Sequence, residues 1–196
     1  MTEKQKDRLK LKIVKYKKAL SLDKKYWGGY YHDGQGIRYM IPELYLKISD
    51  YKGALRYFNW FTKNFPDDSC FPIFLFEWTF VLFKNNKLEE AEKKLHKTFF
   101  SNTYLLDKFL GKEFLDLDKN ESSSWEFKNI TEHFQYNKKD EEFLTFAVWV
   151  GEKLETRQFL DKANRFIELE QQLKTEPSGA TRTKIVEELS GFKYDE

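Results

Sequence analysis

Two helix-period stretches of the same layout recur 37 residues apart, and this recurrence constrains the fold more than any other feature of the chain. In the first, Ile37, Ile41, Leu44, Tyr45 and Ile48 fall on one face at spacings of three and four. Ser49-Asp50 breaks the run. A second periodic stretch follows at once from Tyr51 to Asn64, with Ala54, Leu55, Phe58, Phe61 and Phe65 as its apolar positions, and Pro66 ends it. Two helices joined by about two residues run antiparallel. The layout then repeats: Pro72 to Phe83 is strongly apolar, Asn85-Asn86 is a turn, and Leu88 to Phe100 is helical and contains LEEAEKKL. Ala54 and Ala91 occupy equivalent places. Paired helices at a period in the mid-thirties predict an all-α array of helical hairpins.

The stretch IRYMIPELYLKISDYKGALRYFNWFTKNFPDD resembles one unit of the tetratricopeptide repeat (TPR). Ile41 matches the family's first-helix leucine, Tyr45 its tyrosine before the turn, Ala54 its second-helix alanine, Phe58 its large aromatic and Pro66 its terminal proline. Arg38, Pro42 and Phe61 depart from the pattern, and Pro42 and Phe61 imply looser or differently angled packing. The second unit, FLFEWTFVLFKNNKLEEAEKKLHKTF, keeps Ala91 and Leu95 but has Trp78 and Thr79 where leucine and glycine are usual. The resemblance covers residues 35–103. It implies a TPR-like right-handed array of antiparallel hairpins with extra N-terminal and C-terminal helices. In such arrays the first helices line a concave groove. Carried to this chain, the groove consists of Tyr39, Glu43 and Lys47 from the first unit and Phe76, Phe80 and Lys84 from the second. An aromatic groove edged by lysine suits a peptide or protein partner with acidic and apolar groups. The competing reading makes Phe76 and Phe80 core, covered by the C-terminal helix.

The flanks divide the rest. Residues 1–36 form a basic amphipathic helix and an aromatic loop: Leu9, Ile13, Tyr16 and Leu20 make one apolar stripe over residues 3–20, and SLDKKYWGGYYHDGQG reads as a loop. Residues 37–100 are the two hairpins. Residues 101–174 hold a short helix (Thr103 to Leu110), a helix from Trp125 to Phe134 after the polar stretch LDKNESSSWE, an apolar helix from Glu141 to Val150, and a long capping helix from Lys153 to Leu173. Residues 175–196 are a C-terminal tail with one or two helical turns around Ile185 to Leu189 and a frayed end. The whole reads as one compact domain.

Charge is distributed unevenly. Residues 1–25 carry nine lysines and Arg8 against Glu3, Asp7 and Asp23, a local +7, within a chain of net +2. The basic helix docks on the acidic remainder or is a solvated helix face, or else it binds nucleic acid or another anionic surface through its lysines and nearby Tyr and Trp. That second use is the alternative to the protein-binding groove. The single cysteine, Cys70, forms no intramolecular disulfide and fits a reducing compartment. No apolar segment is long enough for a membrane span. A soluble cytoplasmic protein is expected, and the Lys, Asn and Phe bias with scarce Ala suggests a bacterial source.

Reactive chemistry finds no support in the pattern. His32, His96 and His133 stand far apart. Asp116, Asp118 and Asn120 begin like a calcium loop, but Glu121 stands where glycine is needed and Phe127 where a bidentate glutamate is needed. In GYYHDGQG, Gln35 and Gly36 replace the lysine and hydroxyl of a phosphate loop. The expectation is a non-enzymatic interaction module without catalytic, metal or cofactor residues.

Overall fold

The computed structural model describes residues 1–194 and is all helical, with no strand among them. The frayed end expected at the last two residues lies outside the described residues. Nine α-helices are present among those described: α1 (Glu3–Tyr26), α2 (Ile37–Lys47), α3 (Tyr51–Asn64), α4 (Pro72–Lys84), α5 (Leu88–Ser101), α6 (Leu105–Leu110), α7 (Leu144–Leu154), α8 (Arg157–Thr175) and α9 (Ala180–Tyr194). They form two compact units. The first comprises residues 1–68 and 81–87, the second residues 69–80 and 88 onward.

In the first unit, α1 opens with a capping box in which Thr2 and Gln5 satisfy each other's backbone N–H groups. It buries Ile13 and Leu20 and packs on α2. The apolar stripe predicts a helix over residues 3–20 only. The helix runs to Tyr26 because Leu22, Asp23, Lys24 and Lys25 contain no breaker, and the left-handed Gly28 and Gly29 (φ 64° and 104°) stop it. The loop that follows is pinned by two aspartates. Asp23 accepts from the backbone N–H of His32 and Asp33, and Asp33 accepts from those of Ile37 and Arg38 at the start of α2. The α2–α3 hairpin closes as expected. Ser49 N–H donates to Leu46 and Asp50 N–H to Tyr45, and the Asp50 carboxylate caps α3 through Gly53 N–H at 2.8 Å. A side chain at Gly53 would collide with that carboxylate and come 2.6 Å from the Tyr45 ring, so the cap and the close approach require glycine.

The turn after α4 repeats this pattern 37 residues on: Asn86 N–H donates to Phe83, and Lys87 N–H to Leu82. Ser49 and Asn86 are both left-handed (φ 57° and 58°). Ala54 and Ala91 are both fully buried. The 37-residue recurrence is therefore present in backbone conformation as well as in sequence.

In the second unit, α4 and α5 meet through the buried Thr79 and Thr98 hydroxyls, 3.3 Å apart, and the Lys94 ammonium lies 4.0 Å over the Trp78 ring. Phe100 of α5 joins Phe166, Leu169 and Leu173 of α8 and Ile185 and Leu189 of α9 in one core cluster. The tail expected at 175–196 is thus largely a 15-residue helix that closes this cluster. The capping helix expected from Lys153 begins later, because Thr156 interrupts it. Its extended backbone and a hydroxyl accepting from Phe159 N–H make it an N-cap, which separates α7 from α8. The helix expected from Trp125 is only a 3-10 turn at Lys128–His133.

Between α6 and that turn, residues 111–127 have no regular structure and are held by side chains. Asn102 donates to the carbonyls of Trp125 and Phe127 and accepts from Tyr104 N–H. Asn120 binds the backbone and carboxylate of Glu170, and Gln171 donates to Leu117.

Candidate functional site

Of the six groove residues expected, four lie in the first unit and two in the second. Tyr39 is half-buried and donates its hydroxyl to Asp68 at 2.6 Å. Glu43 and Lys47, one turn apart on α2, form an ion pair. The Lys84 ammonium lies 5.1 Å over the Tyr51 ring.

Phe76 and Phe80 are both 0% exposed, so these two rings do not line an open groove. Phe76 contacts Phe109, Phe134, Tyr136, Phe143 and Phe146, and Phe80 contacts Phe143 and Phe146. Both are core, and rings from residues 109–146 cover them. Apolar rings on α4 found apolar rings in the following segment, and burying them removes their large apolar area from water.

Several polar groups picked out by chemistry serve the fold. Arg38 binds the buried Asp33 at 2.9 Å and Asp68 at 3.0 Å, and Tyr57 donates to the Arg38 carbonyl at 2.7 Å. Burial raises the Tyr39 hydroxyl's pKa, and its bond to Asp68 adds to the rise. Burial opposes the Arg38 charge, but the Asp33 and Asp68 contacts outweigh it and raise its pKa. Asp118 pairs with Lys174, so it is used within the second unit. His32 stacks on Trp27 and His96 packs on Phe159. Among the described residues no group of three or more His, Cys, Asp or Glu is placed to hold a metal ion. No described helix is long and apolar enough to cross a membrane.

The outward face of α1 is the surface that this packing leaves over. Leu11, Val14, Leu22 and Tyr26 are 69%, 62%, 56% and 82% exposed. With Lys18 they follow spacings of three and four, and so share one side of the helix opposite Ile13 and Leu20. The back of the helix is therefore basic and apolar together, not basic alone. Lys4, Arg8, Lys15, Lys18 and Lys25 make no ion pair among the described residues, whereas Lys6 and Lys10 pair locally with Glu3 and Asp7.

No protein-family model, curated protein or solved structure matches the chain. The surface itself therefore carries the functional reading.

Proposed function

We propose that the chain is a non-enzymatic, TPR-like helical interaction module of the cytoplasm, and that it binds a protein partner on the outward face of α1. The partner segment presents interleaved acidic and apolar side chains. The observation that carries this reading is the exposure of Leu11, Val14, Leu22 and Tyr26 among unpaired cations. Exposed aliphatic side chains on one helix face are matched by apolar side chains of a second protein, and the lysines between them by carboxylates. A lipid surface is a poorer fit, because Lys15 and Lys18 interrupt the centre of the stripe where acyl chains need a continuous apolar band. Nucleic acid would use the lysines but leave Leu11, Val14 and Leu22 without a role.

A labelled amphipathic peptide of Glu and Leu, a single-stranded oligonucleotide without a 5′-phosphate and phosphatidylserine vesicles test this together. The peptide is expected to bind the wild-type chain, and Leu11→Glu combined with Leu22→Glu to abolish binding with the circular dichroism unchanged. Preferential binding of the oligonucleotide, falling about a thousandfold between 50 and 200 mM salt as several phosphate contacts are lost, would overturn the protein reading.

A further inference from the structure

On the flank of α1, away from the outward face, Lys17, Ser21 and Lys24 form a second stripe that meets Tyr31 of the following loop and Arg56, Tyr57 and Trp60 of α3. Together they enclose a cavity of about 300 Å³ within the first unit. Its walls are aromatic. Trp60 lies edge-on to Tyr31 at 5.8 Å and 86°, and tilted to Tyr57 at 5.3 Å and 30°. Its charged groups are all cationic, and no carboxylate lines it. The Lys17 ammonium donates to the Tyr45 hydroxyl at 2.7 Å and lies 5.7 Å over the Tyr57 ring. The Lys24 ammonium donates to the Asn64 side-chain carbonyl at 3.1 Å and lies 4.8 Å over Tyr31. Arg56 is exposed and makes no hydrogen bond or ion pair among the described residues. The Asp23 carboxylate, which accepts from the backbone N–H of His32 and Asp33, and the Asp33 carboxylate act electrostatically on Tyr31 and Tyr57, respectively, but neither lines the cavity. Three cations thus face one aromatic cavity with no carboxylate among its lining residues.

We propose that this cavity binds a nucleoside 5′-phosphate, either free or as the terminal nucleotide of a strand. Rings set at right angles also make cages for quaternary ammonium guests, but such a guest would meet three lining cations and no lining carboxylate. A planar base fits against Trp60 and Tyr31, where base–aromatic contact is tolerant of base identity. The phosphate is matched by the fork of Arg56, which can bond it bidentately, with a lysine beside it. Lys17 and Lys24 are about 10 Å apart along α1, so one end of the cavity takes the phosphate while the other lysine faces acceptors of the base. The volume lies at the lower end of ligand cavities, which suits one base and one phosphate. None of this rests on a protein partner at the outward face.

The test is a titration of the full chain with AMP, UMP, inorganic phosphate, adenosine and a short oligonucleotide with and without a 5′-phosphate, followed by calorimetry. AMP or the 5′-phosphorylated strand is expected to bind saturably. Inorganic phosphate and adenosine are expected to bind at least about tenfold more weakly, and Arg56→Gln to weaken the nucleotide at least about tenfold. Arg56 has no partner to lose, so that variant keeps the fold, and Trp60→Phe is expected to reduce the affinity while preserving it too. Which of the free nucleotide and the strand end binds more tightly identifies the source. No saturation by any nucleotide up to about 5 mM, or phosphate binding as tightly as AMP, overturns the proposal. Leu11→Glu with Leu22→Glu leaves nucleotide binding intact, so failure of the outward-face reading and failure of this one remain separable.

Discussion

Tyr39 and Phe76 occupy the same place in the two hairpins, 37 residues apart, as do Glu43 and Phe80, yet the first pair is partly exposed and the second is core. On α2 the polar positions are satisfied locally: Tyr39 by Asp68 and Glu43 by Lys47. On α4 the equivalent positions are phenylalanines, and residues 109–146 bring five more aromatic rings onto them. A helical repeat therefore fixes which side of a helix a residue lies on. It does not fix what covers that side, which depends on the chain that follows.

The largest expected effect tests this contrast directly. Phe76→Ala should cost roughly 3–5 kcal/mol in denaturant unfolding, because it opens a void in a closed ring cluster. A loss below about 1 kcal/mol would return Phe76 to an open groove and end the comparison. Next come the features the hairpins share. Ala54→Leu and Ala91→Leu should each cost on the order of 1–3 kcal/mol by overpacking a close helix approach. If both variants melt at the wild-type temperature, the two alanines are not equivalent contact points. Tyr39→Phe should cost no more than about 1.5–3 kcal/mol, since it removes one hydrogen bond to a carboxylate that Arg38 still pairs and leaves the ring in place. A cost matching that of Phe76→Ala would mean that the first hairpin is as closed as the second.

The smallest effect belongs to His96 in the second unit. Burial lowers its pKa, and the Lys162 and Lys153 charges lower it further against the opposing Glu92. The unfolded chain then takes up a proton more readily than the folded one. This contribution to stability is complete above the unfolded value of about 6.5 and is lost as pH falls through it toward the lower folded value. Unfolding free energies at pH 7 and pH 5 should differ less for His96→Leu than for wild type. An unchanged pH dependence would place the proton-linked loss elsewhere.

The hairpins were legible because their signals are local: Pro66 and Asp50 bound α3 at the residues observed, and Ala54 and Ala91 marked its equivalent. Boundaries set by weaker or tertiary causes were not legible. Leu22 to Lys25 carry no breaker, yet the glycines and aromatics after them made the segment read as a loop. Thr156 gives no sign in the apolar period that its hydroxyl will start a new helix. The shift of α9 from tail to helix depends on Phe100, Phe166 and Leu169, which lie far away in sequence. For the candidate sites, the lysine excess of residues 1–25 was visible at once. The exposure of Leu11, Val14 and Leu22 was not, because two apolar stripes compete on one helix and only packing chooses between them. The aromatic cavity draws on three segments. Its trace in the sequence is limited to Lys17, Ser21 and Lys24 on one stripe and Arg56 and Trp60 one turn apart.

Asn102 uses one side chain to hold two carbonyls 23 and 25 residues further along and one backbone N–H beside it. A segment without strands or helices is thus ordered by a few clamps, and its native state is only as persistent as they are. Amide protons of residues 111–127 should exchange with solvent through a shared partial opening, at a free energy well below that of global unfolding, while those of α5 and α8 stay protected. Asn102→Ala would make that opening more frequent without changing its extent. The segment is in this sense a separate cooperative element, with its own equilibrium set by Asn102 together with the Asn120, Gln171 and Lys174 contacts.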